Sequence, residues 1–190
     1  MDNIDHSKRR FLVVATTFLG SIGAILTSIP FIASWFPSAR TKASATPIKV
    51  DLSQLQPGEL MTVTWRKNPV WILHRTQEMI ASLTNHNNLL RDPTSKVDQQ
   101  PLYAKNIYRS IKPEYLVLIA YCTHLSCIPN YEPNNNKQWP GGFLCPCHGS
   151  KYDLSGRVFK NVPAPINLAV PPYRYISDKV ILIGEESLHA

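Results

Sequence analysis

The sequence CTHLSC at residues 122–127 and the sequence CPCHGSKYD at residues 145–153 hold all four cysteines of the chain and two of its six histidines. The first segment spaces a cysteine and a histidine as Cys-x-His, and the second spaces them as Cys-x-x-His. Both spacings are typical of metal ligands. Cysteines that are clustered with histidines, rather than spread along a chain, indicate a metal site instead of a disulfide framework.

Two kinds of metal site fit these spacings. A structural zinc ion is commonly held by two cysteines and two histidines. An iron–sulfur cluster is held by thiolates, and imidazole ligands raise its reduction potential. Zinc would leave Cys127 and Cys147 without a role, whereas one further cysteine per segment is what a disulfide between the two loops would need. Such a bond persists only in an oxidising compartment, so the spacing favours the cluster and leaves zinc as the alternative.

The N-terminal part of the chain contains a long charge-free run, FLVVATTFLGSIGAILTSIPFIASWFP, at residues 11–37. About 20 apolar residues cross the hydrocarbon core of a membrane as a helix, so residues 11–37 are predicted to be a transmembrane anchor. Lys8, Arg9 and Arg10 precede the run. By the positive-inside rule, residues 1–10 are predicted to stay in the cytoplasm and the remainder to be exported.

A cleaved signal peptide is the alternative to a retained anchor. Ala43-Ser44-Ala45 resembles a small-residue cleavage site, but the apolar core of a signal peptide is typically only about 7–15 residues long, which favours the anchor. Residues 7–12, SKRRFL, also resemble a loose twin-arginine export signal, with Lys8 at the position of the first arginine. Residues 38–47, SARTKASATP, are small and polar, so they are predicted to form a flexible hinge.

Residues 48–190 are predicted to form an all-β domain. Short runs of β-favouring residues alternate with clusters of Pro, Gly and Asn. The clearest runs are Ile48–Leu52, Met61–Trp65, Val70–Arg75, Tyr115–Tyr121 and Val180–Ile183. Thr76–Leu83 is predicted to be a short helix with Thr76 as its N-cap, and Pro133–Gly142 is predicted to be a loop.

Composition limits the partners that the chain can have. The formal net charge is +7, but the basic residues are scattered apart from those before the apolar run, so nucleic acid is not an expected partner. Sixteen prolines against eight glycines fit short strands and rigid loops. His74, His86 and His189 are expected to be structural or solvated rather than ligands. Tyr131 and Trp139, between the two cysteine segments, are expected on a surface loop.

The two cysteine segments resemble the two cluster-binding boxes of Rieske proteins from bacterial cytochrome bc-type complexes. The resemblance covers nearly the whole chain: a basic N-terminus, a single anchor, a hinge of small residues and a β domain. It implies a Rieske-type antiparallel β domain with a cluster-binding subdomain at about residues 120–166. It also implies one [2Fe–2S] cluster with two cysteine and two histidine ligands.

The resemblance assigns a role to each cysteine and histidine of the two segments. Carried over by position, the thiolates of Cys122 and Cys145 would hold one iron, and the imidazoles of His124 and His148 would hold the other. The two remaining cysteines would form a disulfide across the loops, and these are Cys127 and Cys147.

Further positions match the family or depart from it. Ser150 and Tyr152 stand where the family donates hydrogen bonds to cluster sulfurs, and such donors raise the reduction potential. Pro163-Ala164-Pro165 resembles the end of the proline loop that covers the cluster in the family. Ser126 and Val162 stand where the family usually has glycine. Because glycine adopts positive φ angles at low cost, both loops are expected to differ slightly in shape.

The resemblance implies a subunit of a quinol–cytochrome c reductase in a bacterial respiratory chain. Ubiquinol bound to cytochrome b would give one electron to the cluster, which would pass it to cytochrome c1, with release of the quinol protons on the exported side. His124 and His148 would be catalytic, because an imidazole ligand can take up a proton together with the electron. The protein would be a single-pass protein of the inner membrane, with its Rieske domain in the periplasm.

Two other classes of Rieske protein are the alternatives. Soluble Rieske ferredoxins and oxygenase components normally lack the anchor and the two extra cysteines. The small Rieske subunit of a molybdenum-containing oxidase, such as arsenite oxidase, also has an export signal. Quinol consumption by isolated membranes would distinguish that subunit from the predicted one.

Overall fold

The computed structural model describes residues 5–36, 38, 46–133, 139 and 141–185. It comprises two compact units, Met1–Ala43 and Ser44–Ala190. The predicted hinge, residues 38–47, lies outside the described residues except for Ser38, Thr46 and Pro47.

The N-terminal unit contains one long helix, α1 (His6–Ser34). It begins before the predicted residue 11 because the side chain of Asp5 accepts hydrogen bonds from the N–H groups of Ser7 (3.1 Å) and Lys8 (3.2 Å). Such an N-cap satisfies donors that the first turn leaves unpaired. The 29 residues of α1 rise about 44 Å. Its length, together with a mean hydropathy of 2.0 over an 18-residue window, is sufficient for a membrane-crossing segment.

Hydroxyl side chains of α1 are satisfied within the helix. Thr16, Thr17, Ser21 and Thr27 each donate a hydrogen bond to the carbonyl oxygen four residues earlier, at 2.8–2.9 Å. In a hydrocarbon environment an unpaired polar group costs several kcal/mol. These internal bonds therefore make the polar residues of the run compatible with an apolar surrounding.

The second unit is built from antiparallel strands, so the all-β prediction is confirmed. The described strands form three three-stranded sheets in the orders β1-β9-β8, β2-β3-β4 and β5-β6-β7. Their bounds are β1 (Ile48–Asp51), β2 (Leu60–Trp65), β3 (Asn68–His74), β4 (Tyr115–Ile119), β5 (Asn130–Glu132), β6 (Gly142–Leu144), β7 (Lys151–Tyr152), β8 (Tyr173–Ser177) and β9 (Val180–Ile183).

The sheet β2-β3-β4 forms the centre of the core. Residues 70–73 of β3 and 115–118 of β4 are all buried, so neither strand shows the alternating pattern of a sheet with one wet face. Burying each such aliphatic side chain contributes roughly 1.5–3 kcal/mol. Trp71 of β3 stacks on Phe143 of β6 at 5.0 Å between ring centroids. This contact joins the central sheet to the sheet that carries the second cysteine segment.

The short helix is found where it is predicted. It is α2 (Gln77–Ser82), and the Thr76 side chain accepts a hydrogen bond from the N–H of Met79 at 3.3 Å. Two further single turns of 3-10 helix span Asn87–Leu89 and Leu102–Ala104.

The segment between the two cysteine motifs differs in part from the prediction. Most of the predicted loop Pro133–Gly142 lies outside the described residues, and Gly142 is already the first residue of β6. Trp139 is buried at 7% exposure in a small apolar cluster with Leu90 and Phe159, not placed on the surface. A large indole gains more from such burial than from exposure. Tyr131 is half-buried in β5.

Candidate metal centre

The first ligand loop, residues 122–127, follows β4 and closes on itself. The N–H of Cys122 donates to the carbonyl oxygen of Cys127 (2.8 Å), and the N–H of Ser126 donates to the carbonyl oxygen of Cys122 (2.9 Å). Ser126 has a φ of 61°, which is the left-handed region that glycine enters at lowest cost. The loop therefore makes the turn expected at a glycine position, but with a serine.

The second ligand loop, residues 145–150, connects β6 to β7. The N–H of Cys145 donates to the carbonyl oxygen of Ser150 (2.8 Å), and the N–H of Gly149 donates to the carbonyl oxygen of Cys145 (3.0 Å). Gly149 has a φ of 73°. The hydrogen-bond pattern of the first loop is thus repeated, with the left-handed residue again four positions after the first cysteine.

A disulfide between Cys127 and Cys147 joins the two loops. Its S–S distance is 2.09 Å and its Cα–Cα distance is 6.6 Å; this is the pairing that the resemblance implies. The sulfur of Cys145 lies close to both disulfide sulfurs, within 4.8 Å. Those two sulfurs are already bonded to each other, so this group of three is not a set of thiolate ligands. The two cysteines that remain free are Cys122 and Cys145.

The two free cysteines form a buried pair, and the two histidines form a pair that is closer to the surface. Cys122 and Cys145 are buried at 2% and 1% exposure. The rings of His124 and His148 lie 4.7 Å apart between centroids, nearly perpendicular, with His124 half-buried and His148 exposed. The two loops therefore place thiols inside the domain and imidazoles at its surface.

An unpaired nitrogen atom of His124 is consistent with metal binding by these four residues. Nδ1 of His124 is buried and has no hydrogen-bond partner among the described residues. A buried polar atom without a partner costs about 1–3 kcal/mol, and a metal ion bound at this nitrogen would remove that cost. Two free thiols and two imidazoles on adjoining loops fit a two-iron cluster with mixed ligands.

Tyr152 connects the second segment to the first. Its hydroxyl lies 3.2 Å from Sγ of Cys122 and accepts a hydrogen bond from the N–H of Thr123 at 3.1 Å. Burial is the main reason that the pKa of Tyr152 is raised well above its usual value, so the phenol keeps its proton. Thr123 is a site residue that no sequence motif marks; its position next to a ligand cysteine is the only signal in the sequence.

The two free cysteines differ electrostatically. Burial raises the pKa of the Cys122 thiol, but hydrogen bonds led by the one to Tyr152 outweigh burial and place this pKa below its usual value. The pKa of Cys145 is raised, mainly by burial. Donors around Cys122 thus favour its thiolate, the form that binds metal.

Ser150 links the second ligand loop to the proline segment. Oγ of Ser150 accepts a hydrogen bond from the N–H of Ala164 at 3.0 Å. The residue with a positive φ near the proline segment is Asn161, at 58°, not Val162. Because Val162 itself does not have a positive φ, valine is accommodated where the family usually has glycine. Val162 instead packs, half-buried, against the apolar core.

Comparison with known families gives two matches along the chain. Residues 90–173 match the model described as the Rieske [2Fe-2S] domain. Residues 2–38 match the model described as the ubiquitinol–cytochrome c reductase Fe-S subunit TAT signal, in line with the resemblance of SKRRFL to a twin-arginine signal.

Comparison with individual proteins gives relatives over nearly the whole length. The ubiquinol–cytochrome c reductase iron–sulfur subunit of Allochromatium vinosum is 52% identical over 188 residues, covering 96% of this chain and 91% of the relative. The subunit of the same name from Blastochloris viridis is 42% identical and covers 96% of both chains. The mitochondrial cytochrome b-c1 complex subunit Rieske of Schizosaccharomyces pombe is 39% identical, covering 91% of this chain and 72% of that protein.

The antiparallel fold and the paired Cys–His loops joined by a disulfide define a Rieske iron–sulfur protein, and the prediction of a [2Fe–2S] cofactor in place of zinc is confirmed. Within that class, the chain belongs to the family of ubiquinol–cytochrome c reductase iron–sulfur subunits.

Proposed function

We propose that this chain is the electron-carrying subunit of a cytochrome bc1 complex. It accepts one electron from ubiquinol at a quinol-oxidation site on cytochrome b and passes it to cytochrome c1, contributing to proton translocation in the respiratory chain. The observation that carries this proposal is the pair of disulfide-joined loops that bury two free cysteines and present two histidines at the surface. Relatives that align over 96% of this chain are named as iron–sulfur subunits of ubiquinol–cytochrome c reductase.

Burial and chemistry support one ligand set. Cys122 and Cys145, which are buried and free, would hold one iron through thiolate sulfur, and His124 and His148 would hold the other through imidazole nitrogen. When bound, a [2Fe–2S] cluster supplies one-electron redox chemistry at a potential that histidine ligands raise. The cysteines face the core, so partners approach from the histidine side.

The histidines serve the quinol, because they are the ligands that solvent reaches. With one nitrogen of each imidazole assigned to iron, the other would accept a hydrogen bond from the quinol hydroxyl and then its proton, and His124 or His148 would release that proton to the exported side. Exposure of the His148 ring suits this contact. Tyr152, which is buried and protonated, donates to Sγ of Cys122 and disperses negative charge there.

The N-terminal unit anchors the domain. Helix α1 crosses the bacterial inner membrane once, with residues 1–10 in the cytoplasm and the β domain in the periplasm, in agreement with the basic residues before the apolar run. Residues 38–47 act as a hinge, because the cluster has to approach both cytochrome b and cytochrome c1. Small, polar side chains in this segment leave few contacts that could fix one orientation.

Metal analysis of the purified full chain tests the proposal. The expected result is about two iron atoms and two acid-labile sulfides per chain, a low-temperature electron paramagnetic resonance signal after reduction, and reduction by quinol in membranes that contain the complex. Stoichiometric zinc without sulfide contradicts the cluster assignment. A full cluster that quinol does not reduce in such membranes contradicts the role in quinol oxidation.

A further inference from the structure

Three arginines lie entirely inside the β domain: Arg75, Arg109 and Arg157 are each at most 1% exposed. Arginine is almost never fully buried unless it is paired. Arg157 is the last residue of the turn Asp153–Arg157, which directly follows β7, and it contacts Asp153 within that turn. Arg75 and Arg109 come from distant parts of the chain, and both contact the same turn.

The positive charge of the three arginines exceeds the negative charge in the turn. Oδ2 of Asp153 accepts hydrogen bonds from Nε (2.8 Å) and Nη2 (2.7 Å) of Arg157. Among the described residues, no carboxylate lies within ion-pair distance of Arg75 or Arg109. Glu114 and Asp92 are the next carboxylates in electrostatic range, and both are partly exposed. One buried carboxylate thus faces three buried guanidinium groups.

Neutral oxygen atoms solvate the two remaining guanidinium groups. Arg75 donates to the carbonyl oxygens of Pro113 (2.7 Å), Tyr108 (2.9 Å) and Leu154 (3.2 Å) and to two serine hydroxyls, those of Ser155 and Ser110.

Arg109 is less well satisfied. It donates to the carbonyl oxygens of Ser155 and Gly156, both at 3.3 Å, and to Oε1 of Gln100 at 2.9 Å, while its Nε has no partner among the described residues. Burial lowers the pKa of Arg75 and of Arg109 to about 10, so both groups stay charged at neutral pH.

The charged turn is joined to the metal centre through Tyr152. It begins one residue after Tyr152, whose hydroxyl lies 3.2 Å from Sγ of Cys122. Val158, one residue after the turn, pairs with Tyr152 in an antiparallel bridge. Both ends of the turn are therefore fixed to the residue that contacts a ligand cysteine, and protein interior, not solvent, surrounds the charges.

We propose that this buried excess of positive charge raises the reduction potential of the cluster, so that Arg75, Arg109 and Arg157 tune the metal centre as well as support the turn. The proposal rests on the proposed function, because it requires a bound cluster. Reduction adds one negative charge to the cluster, and net charge near a cluster is one determinant of its potential. Fixed charges in a protein interior are screened less than surface charges. Arg109 is the best probe because it makes the fewest hydrogen bonds of the three.

The test is a redox titration of the cluster in the full-length protein, followed by its spectrum, for three single variants. Arg109→Met removes the charge and keeps much of the volume. Arg109→Lys keeps the charge but loses the planar fork of donors. Lys96→Met removes one exposed charge from the segment that packs beside Gln100 and is the matched control.

The charge hypothesis predicts a specific order among these variants. Arg109→Met should lower the equilibrium constant for cluster reduction by up to about tenfold, which equals about 59 mV for a one-electron couple. Arg109→Lys should keep most of the potential although its thermal stability falls, and Lys96→Met should behave as the unchanged protein. Equal losses of potential in Arg109→Met and Arg109→Lys, or an unchanged potential in Arg109→Met with a full cluster, would overturn the proposal.

A second variant decides the question if Arg109→Met does not hold a cluster. Gln100→Glu places a carboxylate against the Arg109 guanidinium, whose Nη2 is 2.9 Å from Oε1 of Gln100, and so cancels charge without removing the arginine. A lower potential supports the proposal and an unchanged one overturns it. Absence of iron and sulfide from the unsubstituted protein is a different result, because it contradicts the proposed function itself.

Discussion

The two ligand loops have the same backbone pattern but different support. In each loop the ligand cysteine and the residue four positions later are linked by a backbone hydrogen bond, and that residue has a positive φ. The first loop leaves a buried strand of the central sheet, whereas the second loop is the turn of a short hairpin. The disulfide and the contact between the His124 and His148 rings join the two loops, and the Tyr152 hydroxyl reaches the first loop from the strand that follows the second. The metal centre therefore depends on contacts between the loops more than on either loop alone.

Breaking the disulfide should have the largest effect. Cys147→Ser removes no proposed ligand, but it frees the exposed hairpin loop from the first loop. We expect the folded domain to lose most of its cluster during purification, because the two ligand pairs are then free to separate. Iron and sulfide content with far-ultraviolet circular dichroism gives the measurement.

The partner variant Cys127→Ser is the matched control for this prediction, because it breaks the same bond from the first loop. Both variants should lose the cluster to a similar extent. A full and equally stable cluster in both would show that the loops are held together without the disulfide, and labelling of both thiols in the native protein would show that the bond is not formed.

The residue with a positive φ in each loop, Ser126 in the first and Gly149 in the second, allows the stability of the two turns to be compared. Alanine at Gly149 would meet no atom within 4 Å, so Gly149→Ala tests backbone strain alone. A left-handed residue with a side chain costs roughly 1–2 kcal/mol, partly offset by the lower entropy of the unfolded alanine chain. We expect a loss of about 1 kcal/mol in the free energy of unfolding. Ser126→Gly should change stability in the opposite direction, by a smaller amount.

Thermal unfolding of the two loop variants, each with its cluster content checked, provides the measurement. If Gly149→Ala is as stable as the unsubstituted protein, the second loop has adopted another turn. In that case the similarity of the two loops is not a requirement of the site.

The sequence identifies the parts of the fold that depend on local patterns. The Cys–His spacings locate both ligand loops, and runs of β-favouring residues locate strands such as Val180–Ile183 to the residue. Thr76 caps α2 as predicted because an N-cap is read from residues close in sequence. Each of these features depends on residues that are close in the sequence, so no tertiary information is needed to find it.

The features that the sequence does not reveal depend on contacts between distant segments. Arg75, Arg109 and Arg157 are unremarkable in the sequence, and only the fold gathers them at one turn. The burial of Trp139 beside Leu90 likewise joins residues far apart in the chain. Even the departure at Val162 could not be judged from the sequence, because the sequence does not show that the positive φ angle belongs to Asn161.

Removing the hydroxyl groups that lie near the cluster sulfurs should change the reduction potential by a different amount for each loop. Tyr152→Phe removes the hydroxyl that contacts Cys122 of the first loop, and Ser150→Ala removes the one that accepts from Ala164 behind the second. Each variant is expected to lower the reduction potential while keeping the cluster, with the larger shift for Tyr152→Phe. A shift of about 30 mV corresponds to roughly 0.7 kcal/mol for a one-electron couple. Unchanged potentials in both would show that these hydroxyls do not stabilise the reduced cluster.

Substitution of Thr123 should have the smallest effect on the reduction potential, and it should raise the potential instead of lowering it. Its hydroxyl donates to the carbonyl oxygen of Ile166 at 2.6 Å, so its single proton is already in use. At 3.1 Å from the Tyr152 hydroxyl, Oγ1 of Thr123 can then only accept. The phenol proton of Tyr152 therefore has two competing acceptors, Oγ1 of Thr123 and Sγ of Cys122.

Replacing this threonine by valine keeps the shape of the side chain and removes the competing acceptor. The N–H of Thr123 still donates to the Tyr152 hydroxyl in the variant, because it is a backbone group. The phenol proton is left with the Cys122 sulfur, so Thr123→Val should raise the reduction potential by less than Tyr152→Phe lowers it. Stability should fall by about 1 kcal/mol, since the carbonyl of Ile166 loses its donor. The double variant Thr123→Val/Tyr152→Phe should show no rise relative to Tyr152→Phe, because the proton in question is gone. A rise that persists in the double variant, or a fall in Thr123→Val alone, would mean that Thr123 acts on the cluster by a route other than the Tyr152 hydroxyl.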